Sequence, residues 1–339
     1  GGWLYDRVGP RLPMLGGLIT AAAVTFLLGR TASWPVYVAC MVLYGIAVSL
    51  PLSSVNAMVA RAWPGHGRRA FNFNYVAANL GVAAGTALGG VLADRSFALA
   101  FSGASVLFLL YALFTAAFIR EERLPPEAAW EGSGRPREAG QDRPVPWVPV
   151  GALFVAYVCL CLVYSQWQTG NSIRTQELGF GLSAFSVLWT LNGILIFAGQ
   201  PVLGLVVRRL SRPIAQMALG VVLYALAFGV LLTSDRYAIF VASMVLLTSG
   251  EMLLWPIFPA TVARLSPPAM RGRLQGFILS GGTVGRMLGP LLGGMLYDAF
   301  GYTTQISVMT SGLVVPMLAI LVYERAHRAA GIRMEQDDL

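Results

Sequence analysis

Three charged side chains stand where a charge is either costly or useful. Glu251 and Arg286 lie deep inside long apolar runs, and Asp6 sits in the segment Gly2-Trp3-Leu4-Tyr5-Asp6-Arg7-Val8-Gly9-Pro10-Arg11, a carboxylate beside two arginines. A buried acid can take up and release a proton, with its affinity set by desolvation and by neighbouring charges. Glu251 is 14 residues into the run 237–262, and Arg286 is 12 residues into the run 274–297. Helical rise places both near the middle of a bilayer. The two runs are consecutive and therefore antiparallel, so pairing is possible. Two readings stay open: a permanent ion pair that fixes packing, or an acid that changes protonation state against its arginine. Glu251 is the only carboxylate embedded in an apolar run, which makes it the first candidate for proton coupling.

Polar and aromatic residues recur at helical spacing around these charges. Tyr164 pairs with Gln168, Trp189 with Asn192 and Glu251 with Trp255, while Asn72, Tyr75 and Asn79 form a stripe near Asn56 of the preceding run. Polar groups inside apolar helices are favoured facing a cavity or the bundle interior. An aromatic, weakly polar cleft with one acid suits amphipathic or cationic organic compounds through stacking and cation–π contact. The same aromatics also fit simple packing or an interfacial belt.

Other chemistries find no support. There is no phosphate-binding loop of the P-loop type. His66 and His327 are far apart in sequence, so neither a histidine metal site nor a catalytic triad is expected. Cys40, Cys159 and Cys161 all fall in apolar runs, where neutral packing is the expectation. No cofactor, no metal and no enzymatic activity are expected.

The elements that must carry these residues are membrane helices. Of 339 residues 56% are hydrophobic and 12% charged, and the mean hydropathy is +0.65, against about 25% charged in soluble domains. Backbone satisfaction in lipid permits only helices or closed barrels, and the runs have helix length. Ten complete spans are expected at 12–29, 35–60, 71–92, 98–118, 148–169, 184–207, 214–233, 237–262, 274–297 and 304–323. Between the fourth and fifth, 120–147 is rich in Pro, Glu, Arg and Gly and reads as a solvated linker. All 24 basic residues are arginine; alternate connections place nineteen on the linker side and four opposite, with Arg286 inside a span. That bias predicts a cytoplasmic linker and tail in a multi-pass plasma membrane protein, of prokaryotic inner-membrane type. It also accounts for the net charge of +8 without a nucleic-acid partner.

An internal repeat divides the chain. Gly81, Gly85, Thr86, Gly89, Gly90 and Asp94 match Gly285, Gly289, Pro290, Gly293, Gly294 and Asp298 at an offset of 204. Val59-Ala60-Arg61 with Pro64 matches Val262-Ala263-Arg264 with Pro267 at 203, and Gly45 and Pro51 match Gly250 and Pro256 at 205. Gly2 and Asp6-Arg7 align with Gly204 and Arg208-Arg209 at 202. The expected organisation is a half-bundle at 1–119, the linker 120–147, a six-helix half at 148–323 and a tail at 324–339. The second half runs two helices before Gly204, so the repeat predicts about 55 residues ahead of Gly2, and a whole of about 395 residues and twelve spans. Glycines at every fourth position make a bare helical stripe that lets another backbone approach closely.

These motifs together resemble the major facilitator superfamily over essentially the whole chain, and most closely its proton-driven multidrug antiporters. Gly2, Asp6, Arg7, Gly9 and Arg11 resemble the loop between that family's second and third spans. Gly81, Gly85, Gly89 and Gly90 resemble the antiporter fifth-span signature, with Thr86 in place of its proline; the proline form stands at Gly289-Pro290. Met41, four residues before Gly45, occupies the place where several antiporters carry a coupling arginine. The resemblance implies an all-α polytopic fold of two pseudo-symmetric six-helix halves, and alternating access with small-molecule substrate and protons as partners. It also implies a monomer in the bilayer, and a latch in which Asp6 meets a helix start near Arg273 to Gly276. Efflux by drug/proton antiport is the leading expectation. Proton symport of a sugar, organic acid or peptide, and a non-transporting receptor or scaffold on the same fold, are the alternatives.

Overall fold

Long apolar runs become long helices in the computed structural model, which describes residues 2–62, 67–119, 145–267 and 270–329. In chain order the helices are α1 Gly2–Val8, α2 Arg11–Leu28, α3 Trp34–Ala62, α4 Gly67–Arg95 and α5 Phe97–Phe118, then α6 Trp147–Gln168, α7 Gly170–Glu177, α8 Gly181–Ala198, α9 Gln200–Arg209, α10 Pro213–Val230, α11 Tyr237–Leu265, α12 Arg271–Gly312 and α13 Val314–Ala329. Among the described residues no strand occurs. Seven helical stretches are long and apolar enough to cross a membrane, or eight if one bent pair counts as a span. The expected span 71–92 lies within α4, some of whose side chains lie outside the described residues. Most of the linker and the tail residues 330–339 also lie outside them.

Two expected spans differ in form. The run 184–207 is bent by 58° between α8 and α9. Pro201 supplies the reason: it has no N–H for the carbonyl of Phe197, and its ring would clash there. The stretch Arg271–Ala329, which holds the expected spans 274–297 and 304–323, breaks at Gly301, whose φ of 79° is open to glycine at little cost. A second interruption at Leu313 precedes Pro316, which cannot donate to the carbonyl of Gly312.

Contacts divide the chain into two compact units. The first comprises Gly1–Pro64, Leu80–Pro144 and Ser266–Gly276, and the second Gly65–Asn79, Val145–Leu265 and Phe277–Leu339. The first unit therefore takes in the opening turns of α12, and the second the opening turns of α4. In the first unit α2 is central, packed on α3 and α5. Its Gly17 lets the α3 backbone approach, since an added Cβ would stand 2.5 Å from the Ala47 carbonyl oxygen. Ser105 of α5 donates to the Ala22 carbonyl at 2.8 Å. In the second unit α10 packs on α11, α6 on α13 and α8 on α11, and Ser243 of α11 donates to the Ala227 carbonyl of α10 at 2.6 Å. Phe114, Phe197 and Leu291 are exposed, as lipid-facing side chains on such helices must be.

Candidate functional site

In the first unit, each residue of the opening motif has a physical task. The Asp6 carboxylate accepts the Gly272 N–H at 2.9 Å on one oxygen and the Arg273 N–H at 2.8 Å on the other. These are free donors at the start of α12, where the helix dipole favours an anion. The Arg273 side chain adds a 3.8 Å ion pair, and the Asp6 side chain is only 3% exposed. Burial lifts the Asp6 carboxyl from 3.8 to about 6, against the two N–H bonds and Arg273, which pull it down. Gly2 has to be bare because an added Cβ would run into the Gly272 carbonyl. Gly9, at φ 78°, ends α1 with its N–H on the Tyr5 carbonyl at 2.9 Å. Arg7 lies 4.5 Å over the Trp3 ring. Arg11 donates to the Ala116 carbonyl at 2.9 Å, where the C-terminal end of α5 attracts a cation.

In the second unit, Glu251 lies at the midpoint of α11, 14 residues from either end, and is 3% exposed. One carboxylate oxygen accepts the Asn192 amide N–H at 2.9 Å and the other faces the Tyr164 hydroxyl at 3.4 Å. The same Asn192 nitrogen lies 2.9 Å from the Thr248 hydroxyl, which is turned to the Met244 carbonyl at 2.7 Å. Tyr164 stands edge-on to Trp255 at 5.4 Å and to Trp189 at 6.3 Å. Tyr75 and Tyr224 are close enough to feel the Glu251 charge, and Tyr75 and Trp255 face the carboxylate beside Asn192 and Tyr164. Pro256, next to Trp255, leaves the Met252 carbonyl without its usual helical donor. The acid is thus held by neutral donors, and a proton can come or go without breaking an ion pair.

Arg286 stands elsewhere. It is 15 residues from the start of α12 and 15 from the break at Gly301, and it is exposed. Its guanidinium lies 3.7 Å from the Cys161 sulfur and bonds Tyr157. Among the described residues no ion pair joins it to Glu251; Tyr164 feels both charges. Asn72 donates to Gln200 at 2.8 Å, next to the cluster that holds Tyr75. Asn79 turns back to the Tyr75 carbonyl at 2.9 Å. Gln168 is exposed on the last turn of α6 and joins nothing here.

The two glycine stripes differ. Added Cβ atoms at Gly285 and Gly289 would strike α6, the latter 2.7 Å from the Leu162 carbonyl oxygen, and at Gly293 the Gln166 amide. Gly81, Gly85, Gly89 and Gly294 have nothing within 4 Å, and the side of α4 at Gly90 lies outside the described residues. Pro290 is taken up inside α12. Helical spacing did not single out Gln166, which donates to the Gly289 carbonyl and accepts from Gln305, both at 2.8 Å. A glutamine two residues before the end of a span was the available signal.

Apolar helices long enough to span a bilayer, a mid-helix acid among aromatics and a carboxylate of the short helix α1 clasping a helix start define a polytopic membrane protein of the transporter class. The Major Facilitator Superfamily model matches residues 1–170 and 153–337, and the chain belongs to that family. It is 37% identical over 332 residues to "Uncharacterized MFS-type transporter YttB" of Bacillus subtilis (strain 168), across 97% of this chain and 83% of that protein. To "Multidrug resistance protein 2" of the same organism it is 24% identical over 309 residues, 88% of this chain and 75% of that one. Its fold is similar to that of the human organic anion transporter MFSD10 (TETRAN), with a TM-score of 0.78 at 19% identity over 94% of this chain and 79% of the other. Membership points to a secondary transporter for small molecules.

Proposed function

We propose that the chain exports small amphipathic organic molecules in exchange for protons, by alternating access between halves at 1–119 and 148–323, with Glu251 as the proton carrier. The observation that carries this reading is the Glu251 carboxylate, 3% exposed and held by neutral donors. A carboxyl so placed can bind a proton on one side of the membrane and release it on the other when its surroundings change. The name of Multidrug resistance protein 2, at 24% identity, supports efflux. The Asp6 clasp on Gly272 and Arg273 acts in this scheme as a latch that forms and opens once per cycle. The arginine bias places the linker and the tail in the cytoplasm of a plasma membrane protein.

The test is accumulation of an amphipathic dye by proteoliposomes under an imposed pH gradient. Antiport predicts accumulation into vesicles with an acid interior, and Glu251→Gln abolishes it while leaving downhill exchange. Accumulation only with an acid exterior establishes symport instead. A Glu251→Gln variant that accumulates like the parent removes Glu251 from the mechanism.

A further inference from the structure

We infer that the site's substrate carries an anionic group, a carboxylate or sulfonate on an aromatic or bulky apolar body, and that this group docks on Arg286. The inference deepens the transport reading above and rests on it, naming the class of small molecule that is carried.

Two mid-helix charges of opposite sign are presented very differently. Glu251 is 3% exposed, and its oxygens already face Asn192 and Tyr164. It therefore has little to offer a cationic substrate. Arg286 is exposed, and its contacts are a cysteine sulfur and a tyrosine, neither of which cancels its charge. Among the described residues no carboxylate pairs with it. A charge at mid-span is too costly to face lipid, so an exposed arginine there faces water and accepts an anion. Guanidinium is the side chain best built for that task, because its planar fork can hold a carboxylate or sulfonate through two parallel bonds.

The apolar part of the ligand has its own partners. Tyr157 lies edge-on to Trp255 at 5.5 Å, and Trp255 and Trp189 are both partly exposed. Tyr157, which the guanidinium bonds, and the Trp255 ring beside it offer apolar surface next to the charge. The cationic compounds suggested by a single acid in the sequence give way to anions, because the accessible charge is the positive one.

The experiment is equilibrium binding of three probes of one shape, naphthoate, naphthamide and naphthylmethylammonium, to the purified full chain. Naphthoate is expected to bind best and the ammonium worst. Arg286→Gln is expected to weaken naphthoate about ten- to a hundredfold, the loss of a hydrogen bond to a charged group, and to leave naphthamide unchanged. Arg286→Lys, which keeps the charge and loses the fork, is expected to lie between. Preference for the ammonium, or naphthoate affinity untouched in Arg286→Gln, overturns the inference. Should the Gln variant not fold, naphthamide binding is lost with it, and the probe ranking on the unaltered chain decides alone. Binding needs no gradient, so the two readings fail separately. Selective naphthoate binding without gradient-driven accumulation sinks the transport reading, and accumulation without preference for naphthoate sinks this one.

Discussion

Asp6 and Gly272 are 266 positions apart in the chain, yet the Gly272 N–H donates to the Asp6 carboxylate at 2.9 Å. The neighbouring Arg273 N–H donates to the second oxygen at 2.8 Å. A side chain of the short helix α1 thus caps α12 from far away in the sequence, and caps of this kind are worth about 0.5–2 kcal/mol. The carboxyl is also lifted to about 6 by burial. An acid whose folded-state value is raised binds protons more tightly folded than unfolded, so its contribution to stability is greatest below the unfolded value and is lost as pH rises through the folded one. The expected outcome is that the stability difference between the parent and Asp6→Asn changes in the parent's disfavour from pH 3.8 to about 6 and is level above. Denaturation midpoints in detergent across that range check it. A difference independent of pH would mean that Asp6 does not titrate in the folded clasp.

The clasp also depends on bare backbone. A methyl group at Gly272 would stand 2.5 Å from the Asp6 carboxylate, 2.6 Å from the Gly2 carbonyl oxygen and 2.7 Å from the Tyr5 ring. The Gly2 carbonyl is helix backbone and cannot yield cheaply, and the Asp6 carboxylate can move only by giving up its hold on the two N–H groups. Gly272→Ala is therefore expected to lower stability by about 1–3 kcal/mol, the range for overpacking, and Gly2→Ala to do the same. Combining Gly272→Ala with Asp6→Ala should cost little more than the glycine change alone, because the cap is already displaced. Fully additive costs, measured by thermal unfolding, would separate the two.

The partner of Asp6 was an expectation of the family resemblance and not of spacing, which shows a carboxylate among glycines and arginines but not the helix start it meets. The spans were legible from the length of their apolar runs. Helical intervals put Glu251 with Trp255 and Trp189 with Asn192, but not Asn192 with Glu251, a contact between two helices. What spacing cannot do is say which helix a face meets. Glu251 and Arg286 are both at mid-helix, yet sequence depth fixes only their height and not their azimuth, and Glu251 meets Asn192 and Tyr164 while Arg286 meets Cys161 and Tyr157. Gln168 shares its stripe with Tyr164 on paper, but α6 ends there. The bond goes instead to Gln166, on the face that meets Gly289 and Gly293. The bend at Gly199 was written in Pro201, and the run's length concealed it.

Asn192 bridges Glu251 and Thr248 with one nitrogen, at 2.9 Å to each. Replacing it by leucine removes the shortest of the carboxyl's contacts and leaves it the Tyr164 hydroxyl at 3.4 Å with Tyr75 and Trp255 beside it. Leaving a buried polar group unsatisfied costs about 1–3 kcal/mol, so Asn192→Leu is expected to destabilise by that amount. In a double-mutant cycle with Glu251→Leu the penalty should largely vanish, since no buried acid remains to be satisfied. Chemical denaturation of the four proteins reads the coupling, and a coupling near zero would show that the contact does not hold the acid.

Gly85 and Gly289 occupy the same place in the repeat and meet different surroundings. An alanine methyl at Gly289 would run into the Ser165 hydroxyl and come within 2.7 Å of the Leu162 carbonyl oxygen, whereas at Gly85 nothing lies within 4 Å. Helix–helix association in lipid relies on such close approach, because lipid provides no hydrophobic drive for it. Gly289→Ala is accordingly expected to destabilise by about 1–3 kcal/mol. Gly85→Ala should be neutral, or stabilising by up to about 1 kcal/mol through helix propensity alone. Measured side by side on this chain in detergent, the two substitutions should differ in sign or by at least about 1 kcal/mol. Equal penalties would mean that Gly85 is covered by a surface outside the described contacts.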